Sequence, residues 1–180
     1  MKKVLFILGE LSDEDFDWMV YVGRREEIPT GTILIQEGEE IDALYIVLKG
    51  TLAVSVDALG GQEIARLSVG EVVGEMSFID SHLPSATVEA IEPSLVLSIP
   101  LQQLNRKLNN DLGFASRLYR SLAFSLSDRL RETVSHLGYG KEPPQQERSA
   151  STNDLNPHVL ENLDLAVTRF ESLVRRLRGY

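Results

Sequence analysis

Between Gly31 and Pro100 the apolar residues come in runs too short for helices, and this constrains the chain most. Ile33-Ile35, Leu44-Ile46-Leu48, Leu52-Val54-Val56, Ile64-Leu67, Val88-Ala90 and Leu95-Leu97-Ile99 largely alternate with period two. Glycines at 31, 38, 50, 60, 61, 70 and 74 punctuate them. Period-two runs with turn signals at this density predict strands in a β-sandwich or small barrel. On either side the period is helical. Ser12 is a suitable N-cap ahead of Asp13-Glu14-Asp15, which predicts a helix to about Val22. After Pro100, Asp111 can cap a long helix with the stripe Ala115, Leu118, Leu122, Leu126, Leu130, Thr133 and Leu137, ended by Gly138. The expected class is mainly β with α, a strand-built body held between helices.

At 180 residues and 43% hydrophobic, the chain has room for one ordinary domain and an appendage. Residues 1–137 are read as the domain and 138–155 as a flexible linker, since only Tyr139 and Ala150 are apolar from Gly138 to Asp154. Residues 156–180 are read as an amphipathic helical tail. Asn156 and Pro157 suit its start, and Leu160, Leu163, Val167, Phe170, Val174 and Leu177 form an a/d seam. Such a seam must dock on its own domain, on its twin in a homodimer, or on another protein. A membrane surface fits less well, because the arginines cluster at one end.

Several function classes fall away. A net charge of −9 gives no long-range attraction to DNA or to anionic lipid. The absence of cysteine excludes disulfides, zinc–thiolate sites, cysteine-ligated iron–sulfur clusters and thiol nucleophiles. The run Val4–Leu8 is five residues long, short of the roughly 7–15 of a secretory core, and acidic residues follow it. We therefore expect a cytoplasmic protein with no membrane span. Asp13, Glu14, Asp15 and Asp17 are read as helix-start charge, not as a metal site. His82, His136 and His158 lack ligand spacing, so no metal is expected. No nucleophile–base constellation or Walker-type loop is visible, so no enzyme is expected.

The most specific stretch is Gly70-Glu71-Val72-Val73-Gly74-Glu75-Met76-Ser77-Phe78-Ile79, followed by Leu83-Pro84-Ser85-Ala86-Thr87-Val88. Gly74 permits a sharp entry into a short helix whose first N–H groups are open to an anion. Glu75 offers a carboxylate to a sugar hydroxyl, and Ser85 and Thr87 add hydroxyls. Gly74, Glu75, Met76, Ser77, Ser85 and Ala86 are thus the candidate ligand-binding residues, in a cup for a sugar beside a phosphate.

These motifs, with Gly31–Glu39 and Tyr45–Val54 upstream, resemble the cyclic nucleotide-binding domain family over roughly residues 13–137. The resemblance implies an eight-stranded jelly-roll barrel flanked by an N-terminal helix and long C-terminal helices. It implies a cyclic nucleotide, cAMP or cGMP, as possible ligand, with no other cofactor, and a non-catalytic sensor function. It also implies a homodimer through the 112–137 helix. Arg129-Leu130-Arg131-Glu132-Thr133 matches the family spacing that makes Thr133 a possible base contact. One position departs. Pro84 stands where nucleotide-binding members carry the phosphate-binding Arg, so binding is expected to be weakened or lost. His82 is then the only nearby side chain in the sequence that could acquire positive charge. The residues after 137 leave no room for a helix-turn-helix, so no nucleic-acid partner is expected. The alternative is a structural or adaptor protein with an empty barrel and a C-terminal docking helix, the 156–178 segment then holding a protein partner.

Overall fold

The computed structural model describes residues 3–138 and 161–178, so the 138–155 linker beyond Gly138 and the seam residue Leu160 lie outside the described residues. Helices α1 (Val4–Glu10) and α2 (Asp13–Val22) come first. Helix α2 starts where the sequence places it. Ser12 Oγ accepts from the Asp15 N–H at 3.2 Å, and Asp15 Oδ2 accepts from the Ser12 N–H at 2.9 Å, closing a capping box. Helix α1 was not expected. It has no side-chain cap, and its five apolar residues are all buried, so tertiary packing holds it rather than intrinsic propensity.

Eight strands follow among the described residues, divided between two four-stranded antiparallel sheets. One sheet orders β1 (Arg24–Ile28), β8 (Ser94–Pro100), β3 (Ala43–Lys49) and β6 (Val72–Val73). The other orders β2 (Ile33–Ile35), β7 (Thr87–Ala90), β4 (Leu52–Val56) and β5 (Gln62–Leu67). This is the double-sheet plan of a jelly roll. Strand β3 shows why the core divides in two. Leu44, Ile46 and Leu48 face the helices, while Ala43, Tyr45 and Val47 face the opposite sheet. Buried on both faces, β3 reads as a continuous apolar run. Two strands escaped sequence reading. Strand β1 is Arg-Arg-Glu-Glu-Ile at a sheet edge, mostly exposed, and takes its conformation from pairing with β8. Strand β6 is two valines paired with Tyr45 and Ile46.

Between β6 and β7 lies the short helix α3 (Glu75–Asp80). After β8 come α4 (Leu101–Asn110) and the long α5 (Leu112–Gly138). Asp111 Oδ1 accepts from the Phe114 N–H at 2.8 Å and starts α5. Phe114, Leu118 and Leu122 sit in the core, but the stripe leaves it further on: Leu130 is 63% and Val134 58% exposed. The side chain of Leu137 is outside the description.

Helix α6 (Leu163–Arg178) packs on α1 of the same chain. Its buried face carries Ala166, Phe170 and Leu173, with Leu163, Val174 and Leu177 partly covered. Val167 is 38% exposed, so the expected seam is corrected there. The reason is close approach at Gly9, where an added Cβ would stand 3.6 Å from Ala166 Cβ. Two small residues bring the helices together and set the rotation of α6. No described helix is long and apolar enough to cross a membrane.

Candidate ligand-binding cup

The motif closes a cup between the β2-β7-β4-β5 sheet, the loop into α3, and α5. Gly74 is its hinge. With φ +91°, it takes a left-handed conformation that a side chain disfavours, and an added Cβ would stand 3.3 Å from the Ala43 carbonyl oxygen. This turn starts α3 and sends Glu75 inward. The cavity is about 940 Å³, a size suited to a nucleotide-sized ligand. Gly74, Glu75, Met76, Pro84, Ser85 and Ala86 line it, and Thr133 of α5 reaches its wall. Ser77 does not line it. Thr87 is buried, and its hydroxyl is taken, accepting from the Glu37 N–H at 3.1 Å and Gln36 Nε2 at 3.2 Å.

Glu75 is 2% exposed. Burial pushes its carboxyl above the ordinary value, against the pull of the Arg129 guanidinium and the hydrogen bond from its own N–H. Arg129 Nη1 donates to Glu75 Oε1. Its Nη2 lies 3.4 Å from the Val72 carbonyl oxygen and 3.7 Å from Glu71 Oε2. The cup therefore contains an arginine, delivered by α5 rather than by position 84. Thr133, one turn on, donates its hydroxyl to the Arg129 carbonyl at 2.9 Å. Pro84 offers no cation, and its carbonyl accepts from the Gly38 N–H at 2.9 Å.

His82 is not placed to supply a charge to the cup. It does not line the cup, and its side chain is 83% exposed beside Asp80. Sequence reasoning passed over two cations that do line the cup, Arg129 and Lys3, as well as Arg66 at its rim. Arg129 had a signal: it begins the stretch used to place Thr133. Lys3 had none, because nothing in its neighbourhood announces that α1 starts beside β6. No group of three or more potential metal ligands occurs among the described residues.

Comparison with known proteins gives the arrangement a family. Residues 25–111 match the cyclic nucleotide-binding domain family. The "Cyclic AMP receptor protein" of Thermus thermophilus is 34% identical over 91 residues, which are 49% of this chain and 42% of that protein. The chain thus matches less than half the length of that relative. The crystal structure of Thermus thermophilus catabolite activator protein superposes with a TM-score of 0.61 at 26% identity, covering 96% of this chain and 84% of that one. A cyclic nucleotide-binding domain from Methylobacillus flagellatus gives 0.68 at 25% identity, covering 79% and 85%. Over residues 25–111, with the double sheet and the glycine-hinged short helix, this chain carries a cyclic nucleotide-binding domain, and the long α5 follows directly after it.

Proposed function

We propose that this chain is a non-catalytic regulatory module whose cup takes a cyclic nucleotide, cAMP or cGMP, with an affinity lowered by Pro84. Its occupancy passes through Arg129 to α5. The observation that carries the reading is the contact of Arg129 with Glu75, Glu71 and the Val72 carbonyl, which ties α5 to the floor of the cup. A ligand bearing a ribose places its hydroxyls against Glu75, and so against the Glu75–Arg129 pair. Any rearrangement of that pair moves the helix that carries Arg129. The exposed Leu130 and Val134 beyond it are the surface through which a homodimer forms along the 112–137 helix. The tail helix supplies a second contact surface for a protein partner. The acidic, cysteine-free sequence suits the cytoplasm.

A second reading has an observation of its own. Glu75 is already paired with Arg129 of the same chain, an internal contact that a scaffold or adaptor would also use. Calorimetric titration of cAMP and cGMP separates the two. Losing the position-84 arginine removes a charge-assisted bond and leaves affinity about ten- to a hundred-fold below that of an intact site. Weak binding that disappears in Glu75→Ala supports the regulatory reading. No heat up to about millimolar nucleotide, equivalent to only ~4 kcal/mol of binding, favours the scaffold.

A further inference from the structure

Lys3 lies outside the 25–111 family match, yet it lines the cup. It is 3% exposed, and its Nζ donates to Asp128 Oδ2 at 2.5 Å. Its place is fixed by the backbone, since the Val4 N–H donates to the Gly70 carbonyl at 2.8 Å and pins the start of α1 beside the turn into β6. Asp128 immediately precedes Arg129 on α5. Successive helical residues diverge, so they reach different walls: Asp128 holds Lys3, and Arg129 holds Glu75.

Resting on the reading that the cup takes a cyclic nucleotide, we propose that Lys3 is the cation that meets the ligand's phosphate, exchanging Asp128 for it. Three cations touch the cavity, and their partners distinguish them. Arg129 is committed to Glu75, a carboxylate with a 3% exposed side chain that cannot be left without a counter-charge. Arg66 is 65% exposed and paired with Glu63 on its own strand, so solvent screens it. Lys3 is held by Asp128, whose side chain is 27% exposed and is rehydrated on release. A compact ammonium with three donors also accepts a new anion without the planar geometry a guanidinium needs. The exchange has a consequence, because Lys3 opens α1, the helix on which both α5 and α6 pack. Phosphate binding thus unclips α5 from α1 at Asp128.

The test is calorimetric titration of cAMP and cGMP into the full chain and the variants Lys3→Met, Asp128→Asn and the double variant, with thermal melts to verify folding. Lys3→Met is expected to weaken binding about tenfold or more. Asp128→Asn, which removes a competing carboxylate, is expected to tighten it several-fold, and to have no effect in the Lys3→Met background. Opposite signs are the signature, since a merely structural pair gives losses on both sides. Folded Lys3→Met that binds like the native chain overturns the role of Lys3 and leaves the proposed function standing. Asp128→Asn that weakens binding as much as Lys3→Met also overturns it. No binding by the native chain or by Asp128→Asn defeats the reading of the cup, and this inference with it.

Discussion

Replacing Arg169 with Met tests what holds α6 on the domain. The Arg169 side chain is 7% exposed and works as a clamp on the end of α1. Its Nη1 donates to the Leu8 carbonyl at 2.5 Å and the Leu11 carbonyl at 2.6 Å. These lie at the C-terminal end of α1, where carbonyls lack intrahelical partners. Its Nη2 also reaches Asp13 Oδ1 at 2.6 Å, but the Asp13 side chain is 91% exposed and that pair adds little. The guanidinium covers the Phe16 ring at 6.0 Å. Methionine keeps the apolar stem and removes every donor. Each hydrogen bond from a charged donor contributes about 1.5–3 kcal/mol, and water can reach part of the vacated site, so a loss of about 3 kcal/mol is expected. That is roughly a hundredfold in the opening equilibrium of α6. Hydrogen exchange of the α6 amides reads it directly, with expected acceleration over 163–178 and little change in β3 or β8. Unchanged α6 exchange in folded Arg169→Met would refute the clamp. Exchange that slows with protein concentration would place α6 on a partner copy instead.

Three further outcomes are expected. Burial alone would raise the Asp15 carboxyl, but hydrogen bonds from Arg117 and Ser12 outweigh it and hold the group below its ordinary value of 3.8. Its stabilisation is therefore complete above that pH and is lost as pH falls through the lowered folded value. Asp15→Asn should cost about 2 kcal/mol near neutrality, the gap closing in acid, as measured by denaturant titration across pH. Pro84→Arg should tighten cyclic nucleotide binding about ten- to a hundred-fold by calorimetry, and an unchanged affinity would show that position 84 does not face the phosphate. Leu130→Glu with Val134→Glu should convert a dimer to a monomer by light scattering without lowering the melting temperature, since both side chains are more than half exposed.

The sequence was most legible where local chemistry and periodicity agreed. Ser12 and Asp15 announced α2 through reciprocal capping, and the glycine-bounded runs announced six strands. Elements shaped by their neighbours were silent. β1 is charged at four of its five residues and exists because β8 pairs with it. α1 is apolar on all sides, so no face betrays its period. The phase of α6 was ambiguous for a related reason. Ala166, Phe170, Leu173 and Leu177 step by four, three and four, and Val167, Phe170, Val174 and Leu177 by three, four and three; both are helical seams, and close contact at Gly9 selects the former. In the cup, the structure brings the Gly74–Met76 and Pro84–Ala86 segments to one cavity, leaves Ser77 out, and adds Lys3 and Arg129. Those cations come from far along the chain, and only the paths of α1 and α5 put them there.

The most direct measurement of the regulatory claim is hydrogen exchange of the full chain with and without saturating cyclic nucleotide. The account predicts altered exchange in the cup at 70–88 and, beyond it, in α5 around 126–134, with the distant change reduced in Arg129→Met. Protection confined to the cup in the native chain, with α5 unmoved, would contradict it.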